Sequence, residues 1–104
     1  VIVGEGPERT RLERRCYEQD LNGSVSFVGA TDPAPWLVRA SVFAMPSFHE
    51  GWGVAAVEAA LVGVPVVMSA TGCASWLQEQ GIAEVVPVPV VVSERCGKRK
   101  LLVM

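Results

Sequence analysis

Two acidic side chains stand out because the stretch of chain around them contains no cation. Glu50 and Glu58 are the only charged residues among the 39 positions 40–78. A carboxylate without a charged partner is costly in poorly hydrated surroundings, so the pair calls for an explanation. Carboxylates accept hydrogen bonds from hydroxyl groups, and a hydroxyl-bearing ligand would explain both acids together. Two alternatives stay open: Glu58 points into solvent, or it pairs with Arg39 or a more distant cation.

A glycine-rich turn and the start of an expected helix lie between these acids. Gly51, Trp52 and Gly53 lead into an alanine-rich run at 54–62. The first N–H groups of a helix have no partner within the helix, and they carry about half a positive charge. Glycine also lets an anion approach the backbone closely. The turn is therefore a candidate phosphate site, and a tight turn that buries the indole is the structural alternative.

The spacing of the acids around this turn fits a ligand with phosphates in its middle. Glu58 follows Gly53 by five residues, so it lies about 7.5 Å further along the helix axis. A diphosphate at the start of the helix, with a hydroxyl-bearing ring on either side, would reach Glu50 on one flank and Glu58 on the other. A nucleotide sugar has this shape.

The apolar pattern predicts the framework that positions these residues. Five apolar runs, at 1–3, 25–28, 42–45, 64–68 and 85–92, do not alternate with polar residues. Such runs are typical of parallel strands covered by helices on both faces. Helices are expected between them at 8–19, 36–40 and 54–62, the last ending at Gly63. The alternation predicts an α/β fold, a Rossmann-like parallel sheet with helices on both faces, whose ligands bind beyond the carboxyl ends of the strands.

The composition limits the class of protein. The chain has 104 residues and a formal net charge of −2, which gives no general attraction to nucleic acid or to an anionic membrane surface. Three widely spaced cysteines suit free thiols in a reducing compartment, and a single histidine makes a zinc site unexpected. No apolar run approaches the roughly 18 residues of a membrane span, and no signal-peptide pattern opens the chain. A cytoplasmic protein without metal or nucleic acid is predicted.

The stretch between the two acids also resembles a known family signature. Written out from residue 50, EGWGVAAVEA resembles the Glu-x7-Glu motif of retaining glycosyltransferases of the GT-B fold, specifically family four (GT4). VGEGP at 3–7 is similar to the family's V-G-x-G-P, and VSFVG at 25–29 is similar to V-x-F-x-G. EAALVGVPVV at 58–67 follows E-A-x-x-x-G-x-P-V-V. The resemblance runs in order through residues 1–86.

The resemblance implies the C-terminal, donor-binding half of an enzyme that transfers a sugar from a nucleoside diphosphate with retention at the anomeric carbon. By position, Glu50 would stand beside the donor sugar and the reacting centre, and Glu58 would bind the ribose hydroxyls. The nucleotide sugar is a substrate, and the resemblance implies neither a bound metal nor another cofactor. The other donor-binding residues that it implies are Gly51, Trp52, Gly53 and Val54 at the sugar and diphosphate, and Gly29 and Thr31 at the nucleobase.

Several positions depart from the family pattern. The family's Arg and Lys that neutralise the diphosphate lie upstream of the first strand and are absent from this sequence. Where the family has a Gly-Gly-x-x-Glu run, residues 72–76 are GCASW, so Trp76 stands in place of the acid. Trp52 occupies a position that is usually aromatic in the family. We expect it to pack under the loop, with stacking on the sugar as the alternative.

The resemblance and its departures predict a partial domain at 1–86 and a divergent or truncated tail at 87–104. The chain starts without methionine, so we interpret it as a fragment of a two-domain enzyme that is inactive by itself. Its expected partner is the missing N-terminal acceptor-binding domain, through which alone a peripheral membrane contact would arise. Two alternatives remain: a non-catalytic nucleotide-binding module, and another GT-B enzyme such as a nucleotide-sugar epimerase.

Overall fold

The fold is a parallel sheet flanked by short helices. The computed structural model describes residues 1–87 and the backbone of residues 101–103. The helices are α1 (Arg9–Glu18), α2 (Ala34–Leu37), α3 (Val54–Leu61) and α4 (Ala74–Glu79), and the strands are β1 (Val42–Met45), β2 (Val66–Ser69), β3 (Ala83–Val86) and β4 (Leu101–Val103). All three strand pairs are parallel, in the order β3-β2-β1-β4. The predicted Rossmann-like α/β class is confirmed.

The first two predicted strands pair with each other without forming regular strands. They meet in a single parallel bridge between Ile2 and Phe27, outside the four-stranded sheet. The Ile2 N–H donates to the carbonyl of Ser26 at 2.8 Å, and the Val28 N–H donates to that of Ile2 at 3.0 Å. The predicted parallel geometry is present, but the ladder is too short to make two strands.

The predicted helices are present, with shifted ends, and one helix was missed. α1 and α3 match their predicted ranges to within one residue at each end. α2 begins two residues before its predicted start and ends three residues before its predicted end, and the Asp32 side chain accepts a hydrogen bond from the Ala34 N–H at 3.0 Å. α4 was not predicted, since a helix of six residues is too short to show a clear helical period. Gly63 follows the C-cap residue Val62 of α3 and adopts a φ of +78°, as expected of a C-terminal glycine.

The core lies between the sheet and the two helices that follow β1 and β2. Its members come mostly from these four elements, and the most deeply buried side chains are Phe43, Met68, Leu77, Val66, Cys73 and Ser69. α1, by contrast, contains no buried residue. The apolar side chains therefore gather below the segment that carries the candidate site, while the charge-rich helix lies on the outside.

The last predicted strand is shorter than expected within the described residues. β3 starts two residues before the predicted run at 85–92 and ends at Val86, and residues 88–92 lie outside the described residues. Most of the tail predicted at 87–104 lies outside them too. Among the described helices, none is long and apolar enough to cross a lipid bilayer.

Candidate functional site

The candidate site lies where two neighbouring strands end and two helices begin. β1 and β2 run parallel, so their carboxyl ends lie at the same edge of the sheet. The site loop (residues 46–53) leads from β1 into α3, and the second loop (residues 70–73) leads from β2 into α4. Crevices at this edge of parallel sheets are the usual ligand sites of such folds. The residues predicted from the glycine-rich turn are therefore where a ligand would be expected.

Gly53 gives the site loop its shape. It is buried and left-handed, with a φ of +92°, directly before the first residue of α3. A Cβ at this position would lie 2.9 Å from Met45 Cε and 3.5 Å from Cys73 Sγ. Its carbonyl accepts the Ala56 N–H at 3.0 Å and so starts the helix. Glycine is therefore required here by both the dihedral angle and the packing.

The start of α3 offers free hydrogen-bond donors. Among the residues that the structure describes, none accepts a hydrogen bond from the N–H groups of Gly51, Trp52, Gly53 or Val54. The helix also has no side-chain cap and no acidic residue in its first turn. Unpaired N–H groups of the kind that a phosphate site requires are present at the predicted positions. Phosphate binding there stays a prediction.

Glu50 is connected to the end of β2 through two serines. Its Oε1 accepts a hydrogen bond from Ser47 Oγ at 2.8 Å. The Ser47 carbonyl in turn accepts a hydrogen bond from the hydroxyl of Ser69, which is fully buried and also lies 3.4 Å from the Met45 carbonyl. Ser69 thus joins the ends of the two strands beneath the acid. Sequence reasoning missed it because no local pattern shows which carbonyl a serine at the end of a strand will face.

The second loop holds the site loop from the other side. The Cys73 N–H donates to the Trp52 carbonyl at 2.7 Å, and its thiol donates to the Gly53 carbonyl at 3.8 Å. Gly72 has a φ of +55°, and a Cβ on it would collide with the Trp52 carbonyl and lie 3.1 Å from Glu50 Cβ. Burial raises the pKa of the Cys73 thiol, and the nearby Glu50 carboxylate raises it further. The thiol therefore stays protonated.

Both predicted acids are exposed, so their assumed poorly hydrated surroundings were wrong. Glu50 lies in the site loop and Glu58 lies on the open side of α3, which matches the alternative that points Glu58 into solvent. Among the described residues, neither acid forms an ion pair, and Arg39 is not a partner of Glu58. Water solvates both carboxylates, and their isolation from cations therefore needs no ligand to explain it. Both remain accessible to one.

Trp52 is not packed under its loop, contrary to expectation. Its side chain is 54% exposed, and its ring lies 6.3 Å from that of Trp76, centroid to centroid. Gly29 and Thr31 belong to a separate loop, where Gly29 accepts the Gly4 N–H at 2.8 Å. No hydrogen bond or ion pair among residues 1–87 joins that loop to Glu50. The nucleobase role of Gly29 and Thr31 stays a prediction.

The electrostatics of the site depend on backbone groups. Residues 40–78 contain no Lys or Arg, so within the site loop the positive end of α3 is the feature that attracts an anion. Within the described part of the chain, no three His, Cys, Asp or Glu side chains come together as metal ligands would. A diphosphate bound here would meet N–H donors, with carboxylates on its flanks.

Comparisons with known proteins show which family the chain resembles. A family model described as "Glycosyl transferases group 1" matches residues 1–96. The chain is similar to the Vi polysaccharide biosynthesis protein VipC/TviE of Salmonella typhi, with 32% identity over 84 residues, which are 80% of this chain and 14% of that protein. It is also similar to a GDP-mannose-dependent alpha-(1-6)-phosphatidylinositol dimannoside mannosyltransferase of Mycobacterium tuberculosis, with 42% identity over 73 residues, 68% of this chain and 19% of that one.

A solved structure shares the fold. The crystal structure of WaaG, a glycosyltransferase involved in lipopolysaccharide biosynthesis, aligns with 86% of this chain and 24% of its own, at a TM-score of 0.71 and 23% identity. The chain therefore spans less than a quarter of the length of each of these three proteins. The similarity therefore covers one part of each of these three proteins.

Proposed function

The chain belongs to the group 1 glycosyl transferases, and from this premise we propose that it forms the donor-binding part of a retaining GT4 enzyme that transfers a sugar from a nucleoside diphosphate to an acceptor. The observation that carries the proposal is the start of α3. There, four N–H groups at 51–54 find no acceptor among the described residues, and accessible carboxylates stand on both sides of them. This arrangement matches the phosphates and the two hydroxyl-bearing rings of a nucleotide sugar.

Each part of the donor has a counterpart in the site. The diphosphate lies against the N–H groups at the start of α3, where the helix dipole favours negative charge. The ribose hydroxyls donate to Glu58 further along the helix, and the hydroxyls of the sugar donate to Glu50. Because the chain offers no cation at 40–78, the dipole opposes the phosphate charge only in part. We expect weak donor binding by this chain alone and tighter binding in an enzyme that adds cations.

In the transfer reaction, the N–H groups at the start of α3 and the Glu50 carboxylate have different roles. The bond between the anomeric carbon and the diphosphate oxygen breaks, the acceptor oxygen bonds to the same face of the sugar, and the proton of the acceptor hydroxyl leaves with the nucleoside diphosphate. Charge develops on the leaving oxygens, and the unpaired N–H groups at the start of α3 would stabilise it. The anomeric carbon becomes positive as in other glycosyl transfers, and the Glu50 carboxylate beside it stabilises that charge.

Calorimetric titration tests the donor site on this chain. UDP, GDP and ADP are each titrated into the native protein, into Glu58→Gln and into Glu79→Gln, which removes an exposed acid from α4 instead. We expect at least one nucleotide to bind, with affinity lowered by about 1–3 kcal/mol in Glu58→Gln and unchanged in Glu79→Gln. Equal binding by all three proteins would remove Glu58 from the ribose, and the absence of binding by any nucleotide would refute the donor site.

The catalytic assignment is tested in an enzyme that contains this segment together with its acceptor-binding part. Glu50→Ala should abolish most transfer while leaving the unfolding midpoint close to that of the native enzyme, because Glu50 is exposed and contributes little to packing. Transfer at the native rate would reject the role of Glu50. The absence of transfer in the native enzyme itself, with nucleotide binding intact, would favour the non-catalytic module.

A further inference from the structure

Two tryptophans form an open aromatic pair at the mouth of the site. The ring centroids of Trp52 and Trp76 are 6.3 Å apart, and the ring planes are inclined by 38°. The two side chains remain 54% and 47% exposed, although tryptophan is usually largely buried. Since they come from the site loop and from α4, the pair joins the two elements that flank the site. Each ring leaves about half of its surface open to a ligand.

The backbone under the pair is fixed before any ligand arrives. The Trp52 carbonyl accepts the Cys73 N–H at 2.7 Å, and the backbone of Gly72 packs directly against the same carbonyl. Trp76 lies one helical turn after Gly72, on α4. Because both ring-bearing segments are tied to each other, stacking a ligand on the pair costs little conformational entropy.

The charges around the pair select one kind of ligand. Glu50 stands two residues before Trp52, and its Cβ lies next to the Gly72 backbone beside the pair. No Lys or Arg occurs at 40–78, so a negative group on the rings would find no cation from that stretch and would be repelled by Glu50. An indole face is electron-rich and attracts C–H groups that carry partial positive charge. An uncharged ring with C–H groups on one face and hydroxyls at its edge can contact the indole faces and also donate hydrogen bonds to the Glu50 carboxylate.

We propose that Trp52 and Trp76 form a stacking surface for an uncharged pyranose, whose hydroxyls donate to Glu50, and that this surface selects neutral sugars over uronic acids. The inference rests on the proposed function, because the pyranose is the sugar of the nucleotide donor. Trp76 stands where the family pattern has an acid, so the preference follows from this chain's own residue. The phosphates stay at the start of α3, and the pair accounts only for the part of the affinity that the sugar adds.

Binding measured with and without the sugar tests the pair. UDP and UDP-glucose, GDP and GDP-mannose, and ADP and ADP-glucose are titrated into the native chain, with calorimetry and tryptophan fluorescence as readouts. The sugar should raise the affinity of at least one nucleotide about tenfold. Trp76→Ala should lose this gain while keeping its affinity for the nucleoside diphosphate, and Trp76→Phe should restore part of it. Trp36→Phe, which alters a tryptophan packed against the core, should bind like the native chain.

The charge preference is tested by UDP-glucose against UDP-glucuronate, which differ at C6 alone. We expect the neutral donor to bind several-fold more tightly, and equal binding would overturn the selectivity. If nucleoside diphosphates bind but the sugar gain survives in Trp76→Ala, the stacking surface is refuted and the donor site stands. If Trp76→Ala weakens both ligands equally, its effect is on the fold and the inference fails. If no nucleotide binds at all, the proposed function and the inference fail together.

Discussion

Helices α1 and α4 differ in the features that decide stability. α1 has ten residues and buries none, whereas α4 has six and buries Ala74 and Leu77. The same contrast divides the charged segment (residues 1–29), where ion pairs such as Arg9 with Glu5 at 2.6 Å lie in water, from the core segment (residues 42–79). Exposed ion pairs contribute little to folding, while buried apolar side chains contribute most of it. The ion pairs therefore lie in the charged segment, whereas the core segment contributes most of the stability.

The contrast explains why the site can lack cations. The site loop is held by Ser69, by the Cys73 N–H and by the close approach of Gly72, which are all uncharged contacts. An ion pair that held Glu50 in place would compete with a ligand for its carboxylate. Because neutral groups position the loop, Glu50 and Glu58 remain available and the start of α3 stays open.

The largest effect should come from removing a buried side chain of the core segment. Leu77→Ala leaves a cavity beneath α4 because Leu77 is fully buried, and we expect a loss of about 4 kcal/mol in the free energy of unfolding. Leu12→Ala makes the same chemical change on α1, where Leu12 is exposed, and should lose less than about 1 kcal/mol. Urea unfolding followed by circular dichroism measures both. Similar losses of stability in the two variants would show that the core segment and the charged segment do not differ in their contribution to folding.

A smaller loss is expected from a backbone collision at Gly72. Gly72→Ala adds a Cβ that meets the Trp52 carbonyl at a positive φ, so the free energy of unfolding should fall by about 3 kcal/mol. Gly81→Ala is the matched control: its φ is +70° but nothing lies within 4 Å of the added Cβ. The control should lose about 1 kcal/mol, from backbone strain alone. If both variants unfold alike, the second loop does not hold the site loop.

Ser69 supplies the next test because its hydroxyl joins the ends of β1 and β2. Ser69→Ala leaves the Ser47 carbonyl without this buried donor and should lower the free energy of unfolding by about 1–2 kcal/mol. Ser75→Ala removes an exposed hydroxyl from α4 and should have no measurable effect. Equal stability of the two variants in urea would show that the buried hydrogen bond contributes nothing.

The smallest expected effect is on the reactivity of the Cys73 thiol, and it involves no loss of stability. Burial raises the pKa of the Cys73 thiol, so at pH 8 less of it is thiolate than in an unfolded chain, and its alkylation should accelerate only as the pH rises further. Cys16 on α1 is half-buried and should react before Cys73. Iodoacetamide labelling of the native protein, followed by peptide mass spectrometry, compares the two. Faster labelling of Cys73 would place it in water and contradict the packing below Gly53.

The sequence predicted the confirmed fold class and the two ends of α3 because these depend on local patterns, while the ligand site at the start of α3 stays a prediction. Unalternated apolar runs mark buried parallel strands, and Gly53 and Gly63 mark the two ends of α3. What failed depended on contacts between distant residues. Exposure of Glu50 and Trp52 is decided by how the second loop packs, and no property of residues 50–58 reveals that. α4 was missed because six residues show no clear helical period, and the helix is stabilised by burying Leu77 against distant parts of the chain.

In the proposed function, the start of α3 binds the diphosphate of a nucleotide. Amide chemical shifts in nitrogen-15 NMR spectra test it directly when UDP, GDP or ADP is added to the native chain. We predict that the largest shifts occur at the N–H groups of Gly51, Trp52, Gly53 and Val54, with smaller ones near Glu58. Shifts confined to the charged segment, or no shifts with any of the three nucleotides, would contradict the claim.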